Sequence, residues 1–592
     1  MKKRILICLL LLAFVSVFLL SGCNSEKGPD ETQTDTQYNT ETGEIYIPEG
    51  TTVIKDYWFA HRSDLENVVI PEGITAIGNG AFFGCRNLKS ITIPEGVTII
   101  GGSAFQHCQS LESIVLPSTV TSIGEYAFDG CYHLHSINIP DNITSIGRGI
   151  LRKCLYLRDI QISESIANFK LIDGILYNKD VTKIVLVSKN IPLDVSLPDT
   201  VQKIDDYCFS SCQRIRSLTI PESVVSIGDG AFELCQNLQN ISIPESVVSI
   251  GDEAFKYCDR LQNVTISDSV SDIGSEAFRG CTSLKSVDLP EGITTLSNNL
   301  FTECTSLENI TIPAGVTSIG EGVFYNCESL KEIDLHDGIT EIGNGAFKNC
   351  SSLDEITIPD GMTKINQGLF EGCNNLVRVT IPDSVTSIEQ RAFCDCTSLA
   401  EITIPDGLER IDKQSFLNCS GLTSVVIPHG VVSIEEGAFA LCKSLTDISI
   451  PDTVTSIGDG AFSSCSALKT ITLPGRLRNI SDETFDKCTS LENVFIPDGV
   501  GYIGTSAFRD CSNLKSITLP ESVTYIYLYA FSVSGRSMIV NFNGTMEQWS
   551  KVRISKKYDP AQESYSSGET GEKKRDIGVD EIHCIDGVVK LK

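Results

Sequence analysis

The sequence predicts a solenoid of about twenty 23-residue coils with a parallel β-sheet along one side, and three observations predict it. Proline falls at 48, 71, 94, 117 and 140, then resumes at 198 and keeps the same step to 520; in eighteen of twenty units the position is Pro, with Ser267 and His336 the exceptions. Behind it run fixed columns: Ile six residues on in nineteen units, Phe eleven on in nineteen, and Cys fourteen on in eighteen. The composition carries the mark of one repeated template, with 47 Gly and 25 Phe beside 4 Met and 2 Trp. A unit this small cannot bury its apolar face alone, whereas stacked neighbours bury a continuous core.

Within a unit the elements follow in order. Val68 and Ile70 alternate with outward residues, as in a short strand with one buried face. Pro71-Glu72-Gly73 then turns the chain, Pro pre-setting φ and Gly tolerating positive φ. Ile77-Gly78 marks a second bend. Ala81-Phe82 and Cys85 have the three-to-four spacing of a short helical or 3-10 turn that faces inward. Leu88, beyond the thiol, opens the next unit's core.

The unit Leu65-x2-Val68-x-Ile70-Pro71-x2-Ile74-x2-Ile77-x4-Phe82-x2-Cys85 resembles the BspA-like, Treponema pallidum-type leucine-rich repeat family, and the resemblance covers residues 44–534. It implies a leucine-rich repeat solenoid on the bacterial surface that adheres to host matrix proteins, host cells or other microbes.

The first 22 residues read as an export signal. Lys2, Lys3 and Arg4 precede an apolar run from Ile5 to Leu20. The run approaches the length of a membrane anchor. Leu20-Ser21-Gly22-Cys23 resembles the bacterial lipobox, which implies diacylglycerol on Cys23 and a membrane attachment through lipid only. Residues 23–43 are polar and acidic and read as a tether.

Of 23 cysteines, eighteen occupy the repeat column, from Cys85 to Cys154 and from Cys212 to Cys511. Three residues after a core Phe, the column faces inward, so Cys85, Cys108, Cys131, Cys235, Cys258, Cys281 and Cys304 are expected as rungs of a buried thiol ladder. Disulfides between adjacent rungs and a metal array are the alternatives; parallel Cβ vectors disfavour the first and a linear file of ligands the second. Cys208, Cys394 and Cys584 stand outside the register.

A net charge of −29 with no basic cluster in the body excludes nucleic acid as a partner. The seven histidines show no metalloprotease spacing, and the densest group, Cys131-Tyr132-His133-Leu134-His135, reads as surface positions of one unit. No catalytic residue, cofactor or metal is expected. The residue after the proline position is acidic in sixteen of twenty units, so Glu72 and Glu95 are at most weak Ca²⁺ candidates; turn chemistry on a solvated edge is the simpler reading.

The expected working face is the outward side of the strands. Two residues before the proline position stand Thr92, Thr219, Thr265, Thr311, Thr357, Thr380, Thr403 and Thr472, with Val69, Val115, Val426 and Phe495 interspersed; Ser90 lies four before it. Such a regular surface, without a pocket, suits an extracellular protein or glycan and a monomeric solenoid. The repeat is broken by an insert at about 158–195, whose Asn178-Lys179-Asp180 signals a hairpin expected to protrude as a contact element. Residues 535–592 read as a C-terminal cap with a mobile loop at 563–576. The function expected is that of a non-enzymatic, surface-anchored adhesin; an architectural envelope protein and a solute-binding lipoprotein are the alternatives.

Overall fold

The structure is a computed structural model that describes residues 45–163, 166–533, 538–555 and 577–591. The export signal, Cys23, the tether and the 563–576 loop lie outside the described residues. The chain divides into two compact units, residues 1–167 and 168–592, and the boundary falls inside the predicted insert.

In the first unit the predicted strands form one parallel sheet, in the spatial order Asp159–Ile162, Ser136–Ile139, Ser113–Val115, Ser90–Thr92 and Asn67–Val69. Ser90 pairs with Ser113 and Ile91 with Ile114, so a step of 23 residues returns each side chain to its own column. A second parallel sheet, absent from the sequence reading, runs through Val53–Ile54, Ala76–Ile77, Ile99–Ile100, Ser122–Ile123 and Ser145–Ile146. The Ile column is its buried position, and the bend at Ile-Gly follows it.

The third side holds turns, and of the two predicted alternatives it takes the 3-10 type in single pieces. Phe83 N–H donates to the Gly80 carbonyl at 2.9 Å and Cys85 N–H to that of Phe82 at 3.2 Å. The N–H groups between them leave the coil: Phe82 donates to Ala104 and Gly84 to Gln106 of the next coil, both at 2.8 Å. A helix would keep all these bonds within one segment. Left-handed backbone at Gly80 and Gly84, and in the next coil at Ser103 and His107, breaks the helical path and turns alternate donors toward the neighbour.

The interior is a file of aromatic rings. Phe82, Phe105 and Phe128 are fully buried and stack at 5.4 Å in nearly parallel planes. In the second unit the file runs through every coil from Phe209 to Phe531. Burial stabilises by about 1.5–3 kcal/mol per ring, and aromatic pairing adds about 0.5–1.5 kcal/mol per contact.

The insert corrects an expectation. Its hairpin forms, as strands Phe169–Ile172, Ile175–Asn178 and Ile184–Val187 in one antiparallel sheet. The Asn178 side chain holds the turn by accepting from the N–H groups of Thr182 and Lys183 at 2.9 Å each. It does not protrude from the second unit. Ile175, Tyr177, Ile184, Val187 and Ile191 are buried in the same core as Val195 and Phe209. Thr200 Oγ1 and Gln202 N–H, of the unit's first repeat coil, bond the carbonyls of Val181 and Thr182. The first coil of a stack has an open apolar end, and the insert covers it.

The C-terminal segment begins as one more coil, with Ser516 paired to Ile539 in parallel at the 23-residue step. Where other coils have the proline turn, the helix Met546–Ser550 stands, the only α-helix among the described residues. Thr545 caps it in a reciprocal box with Gln548. Trp549 is buried edge-to-face against Phe542 at 5.3 Å. Strand Glu581–Cys584 then pairs in parallel with Ile539–Phe542, and Gly587–Lys590 folds back antiparallel to close the sheet.

Candidate interaction face

Strand alternation places Ser90 and Thr92 outward on either side of buried Ile91. The remaining candidates, Thr219, Thr265, Thr311, Thr357, Thr380, Thr403 and Thr472, are exposed as well, all in the second unit. The candidates therefore form two surfaces, one on each unit. Thr357 lies directly beside Thr380, and Ser242 separates Thr219 from Thr265. Thr311 and Thr403 lie outside the paired strands, because their segments lack the ladder bonds that define one.

Three apolar residues interrupt the hydroxyls in register. Val115 pairs with Thr92 and is 73 % exposed; Phe495 pairs with Thr472 and is 69 % exposed; Val426, 70 % exposed, pairs with Ser449. Beside this face Arg378 bridges Glu355 at 3.0 Å and Arg216 bridges Asp194 at 3.2 Å. The hydroxyl of Ser217, followed by Arg216, holds the Asp194 carboxyl below its usual range. In the first unit a shallow, open depression along this face is lined by Glu95, Val115, Ser118, Asn138, Asp141 and Gln161.

A second threonine column, four residues after the proline position, escaped the sequence reading. Thr75, Thr98, Thr121 and Thr144 each donate Oγ1 to the carbonyl of the equivalent residue one coil earlier, at 2.9–3.2 Å. These hydroxyls work inside the stack. Those of Thr92, Thr219, Thr265, Thr311, Thr357, Thr380, Thr403 and Thr472 bond no other described residue. Both columns are threonine, so residue type alone does not separate them; the coil-to-coil bond does.

With this geometry established, comparison places the chain. The family described as BspA type leucine rich repeat region matches residues 36–180, 188–308, 248–377, 294–423 and 410–539. The chain belongs to this BspA-type leucine-rich repeat family. Solved structures similar to it include a leucine-rich repeat protein from Bacteroides ovatus, 27 % identical over 82 % of this chain and 93 % of that one, with a TM-score of 0.38. Another, from Eubacterium ventriosum, is 28 % identical over 52 % and 91 %, with a TM-score of 0.45. A leucine-rich cell surface protein from Faecalibacterium prausnitzii is 28 % identical over 66 % and 98 %, with a TM-score of 0.36. No curated protein matches.

The remaining sequence candidates take these places in the BspA-type repeat. Every column thiol is buried and free. In seventeen of the eighteen, Sγ donates to the carbonyl of the Phe in the preceding coil, as Cys85 does to Phe59 at 3.0 Å and Cys281 to Phe255 at 3.3 Å. Burial pushes the thiol of Cys85 up to about 12 and that of Cys108 well above its ordinary value. Glu72 and Glu95 are exposed. Glu95 accepts from the Ser118 hydroxyl one coil on, and Asp452 from the Gly475 N–H at 3.0 Å, so carboxylates of this edge serve the next coil's donors. The His133 ring stacks on Tyr156 at 5.5 Å and lies 2.8 Å from the Gln109 carbonyl through Nδ1.

Among the described residues one group brings three metal-ligating atoms within 4.8 Å of one another, Glu371, Cys394 and Asp395. Arg391 and Lys348 already bridge Glu371, at 2.6 and 3.2 Å. Burial would raise the Glu371 carboxyl, and these two cations outweigh it and hold it low. The arrangement is a neutralised ion-pair network along the coils.

Proposed function

We propose that the chain is a non-enzymatic binding protein, exported and held at the bacterial surface through lipid on Cys23, that grips an extracellular protein or glycan with the outward side of its first sheet. One observation carries this reading: the stack uses one threonine column for its own coil-to-coil bonds and leaves the other column's hydroxyls to the solvent. Hydroxyls offer both donor and acceptor to a partner, and the exposed Val115, Val426 and Phe495 supply the apolar anchors that interfaces concentrate their energy on. Repeat solenoids bind through extended regular surfaces of this kind. Adhesion to host matrix or to neighbouring microbes is the specific role.

The test is binding of the mature protein to host extracellular-matrix proteins and to whole bacteria. Specific, saturable binding is expected, with at least tenfold loss on combining Thr357→Glu, Thr380→Glu and Phe495→Ala. Equal substitutions at Ser226 and Ser249, which pair in the second unit's parallel sheet through the Ile column, strands Ser226–Ile227 and Ser249–Ile250, should leave it unchanged. Binding insensitive to the first set removes this face from the function, and no binder at micromolar concentration leaves an architectural role.

A further inference from the structure

Cys212 is the one column thiol without a Phe carbonyl in front of it, because the preceding coil is replaced by the insert. Lys189 occupies that place. It is the one lysine among the buried residues described, 9 % exposed. Its ammonium donates to the Ser210 carbonyl at 2.5 Å and lies 3.8 Å from Cys212 Sγ.

This arrangement alters the chemistry of one rung. Elsewhere the thiol donates a proton toward a carbonyl oxygen, and burial suppresses the thiolate. At Cys212 burial acts in the same direction, but the Lys189 charge and hydrogen bond oppose it. A thiol beside a fixed amine is also positioned for bond formation, since both reacting atoms are held by the same coil.

We propose that Lys189 and Cys212 are a site of oxidative cross-linking, joined on exposure to dioxygen as Nζ–O–Sγ. The Nζ–Sγ gap favours the bridged product: one intervening oxygen spans more of it than a direct N–S bond and requires less movement. The atoms balance. The ammonium first gives its extra proton to solvent. The neutral amine then loses one hydrogen and the thiol its own. One oxygen atom of dioxygen enters the bridge, and the other leaves with the two hydrogens as water. Nitrogen and sulfur are oxidised and dioxygen is reduced by four electrons. The bridge ties the capping insert covalently to the first repeat coil it covers, so oxygen exposure locks the end of the second unit.

Peptide mapping of the full-length protein, kept anaerobic or equilibrated with dioxygen, tests this. Trypsin is expected to leave Lys189 uncleaved in the oxidised sample and to give residues 184–203 joined to residues 204–214. The joined pair should exceed the two reduced peptides by one oxygen less two hydrogens, and a strong reductant should separate it. Lys189→Arg, which keeps charge and donor, should abolish the pair; Cys208→Ser should retain it. A linked pair that survives in Lys189→Arg, one that is lost in Cys208→Ser, or full cleavage at Lys189 after oxidation would overturn the proposal.

Discussion

Cys108 Sγ donates to the carbonyl of Phe82, 26 residues earlier, at 3.2 Å, and the same bond recurs from coil to coil. The thiol is thus both filler and donor. It occupies space beside the stacked rings and gives a second donor to a carbonyl that already accepts from the N–H three residues on. Removing the donor deletes one of the two bonds the carbonyl accepts, at about 0.5–1.5 kcal/mol, and leaves its bond from the N–H three residues on. Cys281→Ala, in the middle of the second unit, should therefore lower stability by about that amount, while Cys281→Ser, which keeps a donor, should cost less. Urea unfolding midpoints of the two variants decide it. Equal losses in the Ala and Ser variants would show that the donor contributes nothing and that the thiol acts by volume only.

Gly130 shows where the turn side of a coil is constrained. Its φ is +71°, and a Cβ there would lie 2.5 Å from His107 Nδ1, one coil earlier. Gly130→Ala should destabilise the first unit by about 1–3 kcal/mol through backbone strain and the clash together. Gly130→Ala with His107→Ala should recover the part due to the clash and keep the part due to φ. Calorimetric melting of the wild type, the single variant and the double variant separates the two terms. A double variant as unstable as the single one would assign the whole cost to the backbone.

The sequence shows the columns that are chemically uniform. Pro at the turn, Ile, Phe and Cys in the core each have one physical task, so each repeats as one residue type. The left-handed turn positions repeat as geometry only. Ser103, His107, Tyr126 and Lys153 all have positive φ without a shared side chain, because the bonds to the neighbouring coil impose the conformation. The structural threonines at 75, 98 and 121 were hidden for the opposite reason, since their residue type matches that of the outward column. The burial of Tyr177 and Ile184 needed knowledge of which coil lacks a predecessor, a relation between distant segments that local hydrophobic pattern does not encode.

The cap should be the most separable part of the second unit. Thr545→Ala removes the acceptor for the Gln548 N–H and half of the capping box, which costs about 0.5–2 kcal/mol. Trp549→Ala empties a buried site beside Phe542 and should cost about 3–5 kcal/mol. In both variants the loss is expected first at the strands Ile539–Phe542 and Glu581–Cys584, with the coils around Phe278 retaining protection. Residue-resolved amide hydrogen exchange reads this directly. Uniform loss of protection along the whole unit would mean that the cap and the coils unfold as one.

Alkaline pH should act on the thiol ladder. Burial pushes the thiols of Cys85, Cys373 and Cys511 from an ordinary 9.0 up to about 12. A group whose folded pKa lies above its unfolded value keeps its proton in the native state while the unfolded chain loses it. Unfolding then releases protons above about pH 9, so the stabilisation is complete below that pH and is lost as pH rises toward about 12. Each such thiol contributes a slope of about 1.4 kcal/mol per pH unit across that window. Urea midpoints should therefore hold level up to about pH 8 and fall steeply above about pH 9. Cys373→Ala should be less stable at neutral pH yet lose stability less steeply on alkalinisation, because one of the titrating rungs is gone. A midpoint that declines equally steeply in this variant would place the alkaline sensitivity in other groups.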